Sequence, residues 1–265
     1  MIIDSHCHLH DEKFSDDLDE VLARAKDAGI SHMITIGCDI ETTKKAALLA
    51  QRFPNIFFSA GFHPHEAKLL DTRALAEIES LAKEKKCVAI GEIGLDYYYQ
   101  HSSKDEQKQA LLQQLLLARR LDLPVVIHLR DAFDDCIAIL RQFEDLLEKT
   151  VIHCFSGTLE EAEVFTEMGC RISLSGIVTF KNPKDLLRVA ESIDIKKLLV
   201  ETDCPYLAPH PFRGKRNEPA LIVHTLTAIA CARKEDIHVI EKQIHQNTME
   251  FFRLPKGSDD ANLSR

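Results

Sequence analysis

Short apolar runs return along this chain at intervals of roughly thirty residues, and each is followed by a stretch with apolar side chains at helical spacing. The runs lie at 2–4, 32–36, 56–60, 88–90, 125–128, 151–153, 171–174 and 198–200. Segments such as DDLDEVLARAKDAG, TRALAEIESLAKEKK, SSKDEQKQALLQQLLLARRLD and TLEEAEVFTEMG follow them, with polar or acidic starts and glycine or basic ends. Strands that alternate with helices pair in parallel, and a parallel sheet needs helices to cover it. Eight such units in 265 residues predict an α/β fold, a (β/α)8 TIM barrel, with a doubly wound open sheet as the alternative. No Pro/Gly/Ser-rich linker divides the chain, so residues 1–255 are expected to form one barrel domain. Two last helices, around 217–232 and 235–252, would pack on it, and residues 256–265 read as a flexible tail.

Apolar residues make up 45% of the chain and charged residues 28%, which excludes a disordered chain, and no run approaches the eighteen apolar residues of a membrane span. The first residues have no basic segment or cleavage site of a signal peptide, so a cytoplasmic protein is expected. Its eight cysteines are scattered without a CxxC pair and read as reduced, mostly buried thiols. A net charge of −9 argues against sequence-independent coating of nucleic acid, though not against an enzyme that meets a polyanion at one local site.

The chemistry sits where the apolar runs end. In MIIDSHCHLH, a strand places His6 and His8 on one face, about 7 Å apart, with Cys7 on the other. His63 follows the third run, Glu92 the fourth, His128 the fifth, His153 the sixth and Asp203 the eighth. A single histidine after a strand is more often an ordinary hydrogen-bonded residue than a ligand. In a barrel, however, all of these ends converge on one mouth, the face on which such enzymes keep their active sites. Six ligands (His6, His8, Glu92, His128, His153 and Asp203) exceed what one catalytic zinc needs, and two ions that share a carboxylate fit better. Glu92 is the natural bridge, with His6, His8 and Asp203 on one ion and His128 and His153 on the other. Asp203 would also accept a proton from a metal-activated water, so hydrolysis is the expected reaction class.

DSHCHL, GFHPHE, GEIGLDYYY, HLRDA, HCFSG, SLSGIVTF and LLVETDCPYLAPHPFRGKRNEP together resemble the TatD family of metal-dependent deoxyribonucleases, within the amidohydrolase superfamily. The resemblance runs from the first residues to about residue 220. It implies the same six metal ligands and matches His63 to the family's GxHP histidine, which would orient or polarise the scissile phosphate. A glutamate at 92, where many amidohydrolases use a carboxylated lysine, is the TatD pattern. Glu201 lies two residues before Asp203 on the same strand face and is expected to hold a ligand in place. Arg213, Lys215 and Arg216 in HPFRGKRNEP either meet phosphates, together with Arg130, or belong to a solvated loop. One of Tyr97, Tyr98 and Tyr99 could stack a terminal base, with Tyr97 taken as the candidate and core packing as the alternative for the others.

The expected function is hydrolysis of DNA phosphodiester bonds, at single strands or ends and without sequence specificity, by a metal-activated hydroxide in a two-metal site. The DNA substrate comes from the resemblance; the residues alone support metal-assisted hydrolysis. Two alternatives stay open: hydrolysis of an ester or small phosphoester on the same barrel, such as aminoacyl-tRNA deacylation, and a purely structural metal site. Two divalent ions are expected, Mg²⁺, Zn²⁺ or Mn²⁺: imidazole ligands favour zinc or another transition ion over magnesium, while the family resemblance implies magnesium. A monomer is the default, and no membrane partner is expected.

Overall fold

The computed structural model describes residues 1–255; the expected tail at 256–265 lies outside the described residues. Eight strands form the sheet: β1 (Ile2–Cys7), β2 (Ile30–Ile36), β3 (Ile56–Ala60), β4 (Cys87–Asp96), β5 (Val125–Arg130), β6 (Thr150–Ile152), β7 (Arg171–Leu174) and β8 (Leu198–Val200). Among the described residues nine α-helices accompany them: α1 (Leu18–Asp27), α2 (Ile40–Arg52), α3 (Thr72–Ala82), α4 (Lys104–Leu121), α5 (Phe133–Leu140), α6 (Leu159–Glu167), α7 (Leu186–Ser192), α8 (Ile222–Arg233) and α9 (Ile237–Phe251). Neighbouring strands pair in parallel in sequence order from β1 to β8. The first and last strands meet just past their ends, where Asp203 N–H donates to the His6 carbonyl at 2.9 Å and His8 N–H to the Cys204 carbonyl at 2.7 Å. An open doubly wound sheet has reversed strand order and no such seam, so the fold is the (β/α)8 barrel.

The strands stand where the apolar runs predict them, with one consequential extension. β4 does not stop at Ile90 but continues through GEIGLD, pairing Gly94 with His128 and Asp96 with Arg130 of β5. Gly94 permits this pairing: its φ is +147°, and a Cβ there would collide with the His128 carbonyl oxygen.

Alternation along the strands separates two apolar layers. Ile2, Met33, Phe58, Ile90 and Ile127 face the helices, while Ile3, Ile34, Phe57, Val126, Val151 and Leu199 fill the barrel. Phe251, Phe252 and Leu254 join the inner layer from the end of α9. Each large apolar side chain buried in this way contributes about 1.5–3 kcal/mol, so the barrel interior is a packed core rather than a channel. Helix starts follow local chemistry, with reciprocal capping boxes at Asp39/Thr42, Ser103/Glu106 and Thr158/Glu161. Among the described residues, no helix is long and apolar enough to cross a membrane.

Candidate metal centre

The packed interior leaves the opposite end of the barrel to polar side chains. His6 is in the last turn of the pleat of β1 and His8 is one residue beyond it, both turned into the mouth. Cys7 between them points away, its thiol donating to the Ile34 carbonyl. The segment after β8 is pinned by Asn217, whose side-chain amide donates to the carbonyls of Thr202 (2.8 Å) and Tyr206 (2.6 Å). Asp203 itself takes a left-handed backbone (φ 56°).

Glu92, 3% exposed, occupies the centre. Its Oε1 lies 2.7 Å from His153 Nε2, 2.8 Å from His128 Nδ1 and 3.4 Å from His63 Nε2. Its Oε2 lies 3.4 Å from His6 Nε2, and the Cys38 thiol is 3.9 Å from the same oxygen. On that second side, His6 Nε2 and His8 Nε2 are 3.3 Å apart, with Asp203 Oδ1 at 3.6 Å and 3.3 Å from them. The His6 and His153 rings stack at 3.8 Å.

Burial would protonate these carboxylates, but the surrounding imidazoles outweigh it and hold Glu92 and Asp203 below their ordinary values. Burial alone would strip His153 of its proton; Glu92 and Glu201 reverse this and raise it. For His63 burial wins, lowering it to about 4, so its ring is neutral near pH 7. His63 Nδ1 accepts the His65 N–H at 3.2 Å, which puts the ring hydrogen on Nε2, facing Glu92. That ring is a donor in the mouth rather than a lone-pair ligand.

The donor set fits divalent cations. Ligand atoms of His6, His8 and Asp203 all lie within 4.8 Å of one another, as do those of His6, His153 and Glu201, and Glu92 and His128 are a third such cluster, beside which His63 turns its ring hydrogen. Among the described residues, nothing hydrogen-bonds the buried His6 Nδ1, while its Nε2 shares one small space with a second imidazole and two carboxylates. Neutral imidazole nitrogens this close to each other need either a shared proton or a cation between them. Imidazole with carboxylate is a donor set that zinc and manganese accept readily.

All six residues that the strand-end pattern singled out are brought together at one mouth, with His63 beside them. Glu201, fully buried below, accepts from His153 Nδ1 (3.2 Å) and from the Cys154 N–H (2.7 Å). Arg130 lines the cavity of about 1070 Å³ that opens here, its guanidinium over the rings of Tyr98 (4.0 Å) and Tyr99 (4.8 Å). Tyr97 and Arg213 are not brought to it. The Tyr97 hydroxyl donates to Asp135 and its ring lies under Lys104, whereas Tyr98 and Tyr99 are exposed and line the mouth. Arg213 stacks on Phe180 at 3.6 Å, and Arg216 pairs bidentately with Asp17. Two residues escaped the sequence reading: Asp96 and His65, hydrogen-bonded to each other at 3.0 Å. The signal for Asp96 was its spacing, since Glu92, Gly94 and Asp96 alternate on one face of a single strand.

A sequence profile described as TatD related DNase matches residues 3–253. The chain belongs to the TatD-related DNase family. A Bacillus subtilis (strain 168) relative, named as the uncharacterized metal-dependent hydrolase YabD, is 38% identical over 254 residues, which cover 96% of this chain and all of that protein. The Cronobacter sakazakii (strain ATCC BAA-894) 3'-5' ssDNA/RNA exonuclease TatD is 36% identical, covering 95% of this chain and 97% of its own. Among solved structures, the TatD homologue YJJV of Escherichia coli K12 superposes with a TM-score of 0.91 at 30% identity, covering 96% of this chain and 98% of that one. This TatD-family chain is a metal-dependent hydrolase.

Proposed function

We propose that this chain is a two-metal nuclease that removes nucleotides from the 3′ end of single-stranded nucleic acid, DNA above all. The observation that carries the reading is that the two oxygens of Glu92 face two separate donor groups. His6, His8 and Asp203 would hold one ion, His128 and His153 the other, with Glu92 shared. Divalent ions bound there supply Lewis acidity, polarising the phosphodiester and making water nucleophilic near neutral pH.

The chain's own side chains do the remaining work. Asp203, kept ionised, takes up the proton of the attacking water. His63 Nε2–H donates to a phosphoryl oxygen and so favours the charge that builds there. Glu201, through His153 Nδ1, holds that ring with Nε2 toward Glu92. Arg130 meets a phosphate, and Tyr98 or Tyr99 stacks the terminal base, the role given to Tyr97 by sequence alone. Support for the substrate comes from the Cronobacter relative, named for single-stranded DNA and RNA. Every residue invoked lies within 1–255 of one chain, which supports a single catalytic domain acting as a monomer. The eight unpaired thiols suit a reducing compartment such as the cytoplasm.

The test is end-labelled single-stranded DNA with metal-stripped protein, restored by Mg²⁺, Mn²⁺ or Zn²⁺, beside Asp203→Asn. Metal-restored shortening from the 3′ end that Asp203→Asn abolishes is expected. Hydrolysis of an aminoacyl-tRNA ester or a small phosphoester, with single-stranded DNA left intact, would transfer the same site to another substrate.

A further inference from the structure

Asp96, the last residue of β4, is a carboxylate in the mouth that falls in none of the donor groups around the proposed ions. It is completely buried and accepts four hydrogen bonds. Oδ2 takes the Nε2–H of His128 at 3.1 Å and that of His65 at 3.0 Å; Oδ1 takes the N–H groups of Tyr98 and Tyr99, each at 2.9 Å. Gln107 fixes the main chain beneath it, accepting the Asp96 N–H at 2.8 Å and donating to the Asp96 carbonyl at 2.9 Å.

An ionised carboxylate can only accept, so the hydrogen in the His128–Asp96 contact belongs to the imidazole. A protonated ring would donate from both nitrogens, whereas the neutral ring that a cation requires keeps its hydrogen on Nε2 and turns the lone pair of Nδ1 toward the ion, 2.8 Å from Glu92 Oε1. Two ligands about 2.1 Å from one ion and at right angles are about 3 Å apart, so this separation also fits a pair of neighbouring ligands. Glu201 does the reverse for His153, taking Nδ1–H and leaving Nε2 against the same oxygen of Glu92. The two histidines thus present opposite nitrogens to one oxygen, and a different acid selects each.

We infer that Asp96 is a positioning residue for the second ion, holding His128 with its hydrogen on Nε2 so that Nδ1 is the ligand, and anchoring the Tyr98–Tyr99 rim with the same carboxylate. The inference rests on His128 being a ligand, as proposed above. Its consequence is that one buried group sets both the metal geometry and the surface that a substrate meets.

The experiment compares wild type, Asp96→Asn and His128→Gln in two measurements. Zn²⁺ is titrated into metal-stripped protein against a chromophoric chelator, and the ring nitrogens are read by NMR of ¹⁵N-histidine-labelled protein at a pH above the point where the His128 signals stop changing, so that its ring is neutral. Asparagine can keep its oxygen on the Tyr98 and Tyr99 N–H groups while its NH₂ faces His128 Nε2, which moves the ring hydrogen to Nδ1. Asp96→Asn is therefore expected to retain one tight Zn²⁺ site, weaken the other by about 10–100-fold, and switch His128 from the Nε2–H to the Nδ1–H form. A residue that merely ties down a loop would move neither reading. Wild-type protein with His128 in the Nδ1–H form would overturn the inference whether or not the variant folds, as would two undiminished sites in Asp96→Asn. If His128→Gln also keeps both sites at wild-type affinity, it is the ligand set that fails. If His128→Gln loses one site and Asp96→Asn loses none, only the role of Asp96 fails.

Discussion

Replacing Glu92 by glutamine keeps its size and burial but removes the one charge that both donor groups share. An NH₂ then takes the place of one oxygen, toward either His128 and His153 or His6. In either orientation a hydrogen-bond donor faces a position where a cation needs an acceptor. An ion present at 100 times its dissociation constant stabilises the folded state by about 2.7 kcal/mol, so two ions give about 5.4 kcal/mol. For a chain of this size each kcal/mol moves the melting temperature by about 2–4 °C, so saturating Mn²⁺ should raise the wild-type melt by about 11–22 °C. Glu92→Gln should lose nearly all of that rise. Since each protein is compared with its own metal-free form, a shifted baseline in the variant does not enter. Hydrolysis should fall by about 10³-fold, the equivalent of the roughly 4 kcal/mol that Lewis-acid stabilisation supplies. Melts followed by differential scanning calorimetry with and without Mn²⁺, beside a single-turnover assay, provide both numbers. A Glu92→Gln protein that still gains its full thermal shift and binds two ions would refute the bridging geometry.

Gly94→Ala should destabilise the protein by about 3 kcal/mol or more and weaken metal binding with it, because the added methyl meets the His128 carbonyl in a left-handed backbone; thermal melts and a Zn²⁺ titration check it. Tyr99→Ala and Arg130→Ala should each raise KM for single-stranded DNA by roughly 5–100-fold at nearly constant kcat, the range expected for a lost base stack; steady-state kinetics decide, and an unchanged KM removes the rim from the substrate. Asp122 accepts from Arg253 and Lys149, which hold it down to about 2. A carboxylate lowered on folding stabilises above its unfolded value and loses that contribution as the pH falls through the folded one. The melting difference between wild type and Asp122→Asn should therefore be present at pH 5 and shrink progressively toward pH 3.

Much of the site was legible because a parallel barrel turns strand order into position. His6, His8, Glu92, His128, His153 and Asp203 each follow an apolar run, and one face receives every such end. Asp96 was hidden by Gly91 and Gly94, which read as the end of a strand when they are what lets β4 run on against β5. Which tyrosine faces substrate depends on the turn that Asp96 Oδ1 organises through two backbone N–H groups, and three identical residues in a row carry no trace of it. Arg213 and Arg216 are likewise spoken for by Phe180 and Asp17, partners far away in sequence that a local reading cannot see.

The seam between the first and last strands has a consequence for the order in which the molecule becomes active. The hydrogen bonds that shut it are made by His6, His8, Asp203 and Cys204, three of which are also candidate donors to a single ion. A growing chain presents residues 6 and 8 almost two hundred residues before residue 203 appears. Until the segment after the eighth strand leaves the ribosome, a nascent chain holds only two of those three donors. The donor group, and whatever chemistry it serves, is therefore completed only once every residue from 6 to 203 has been made and the barrel has closed.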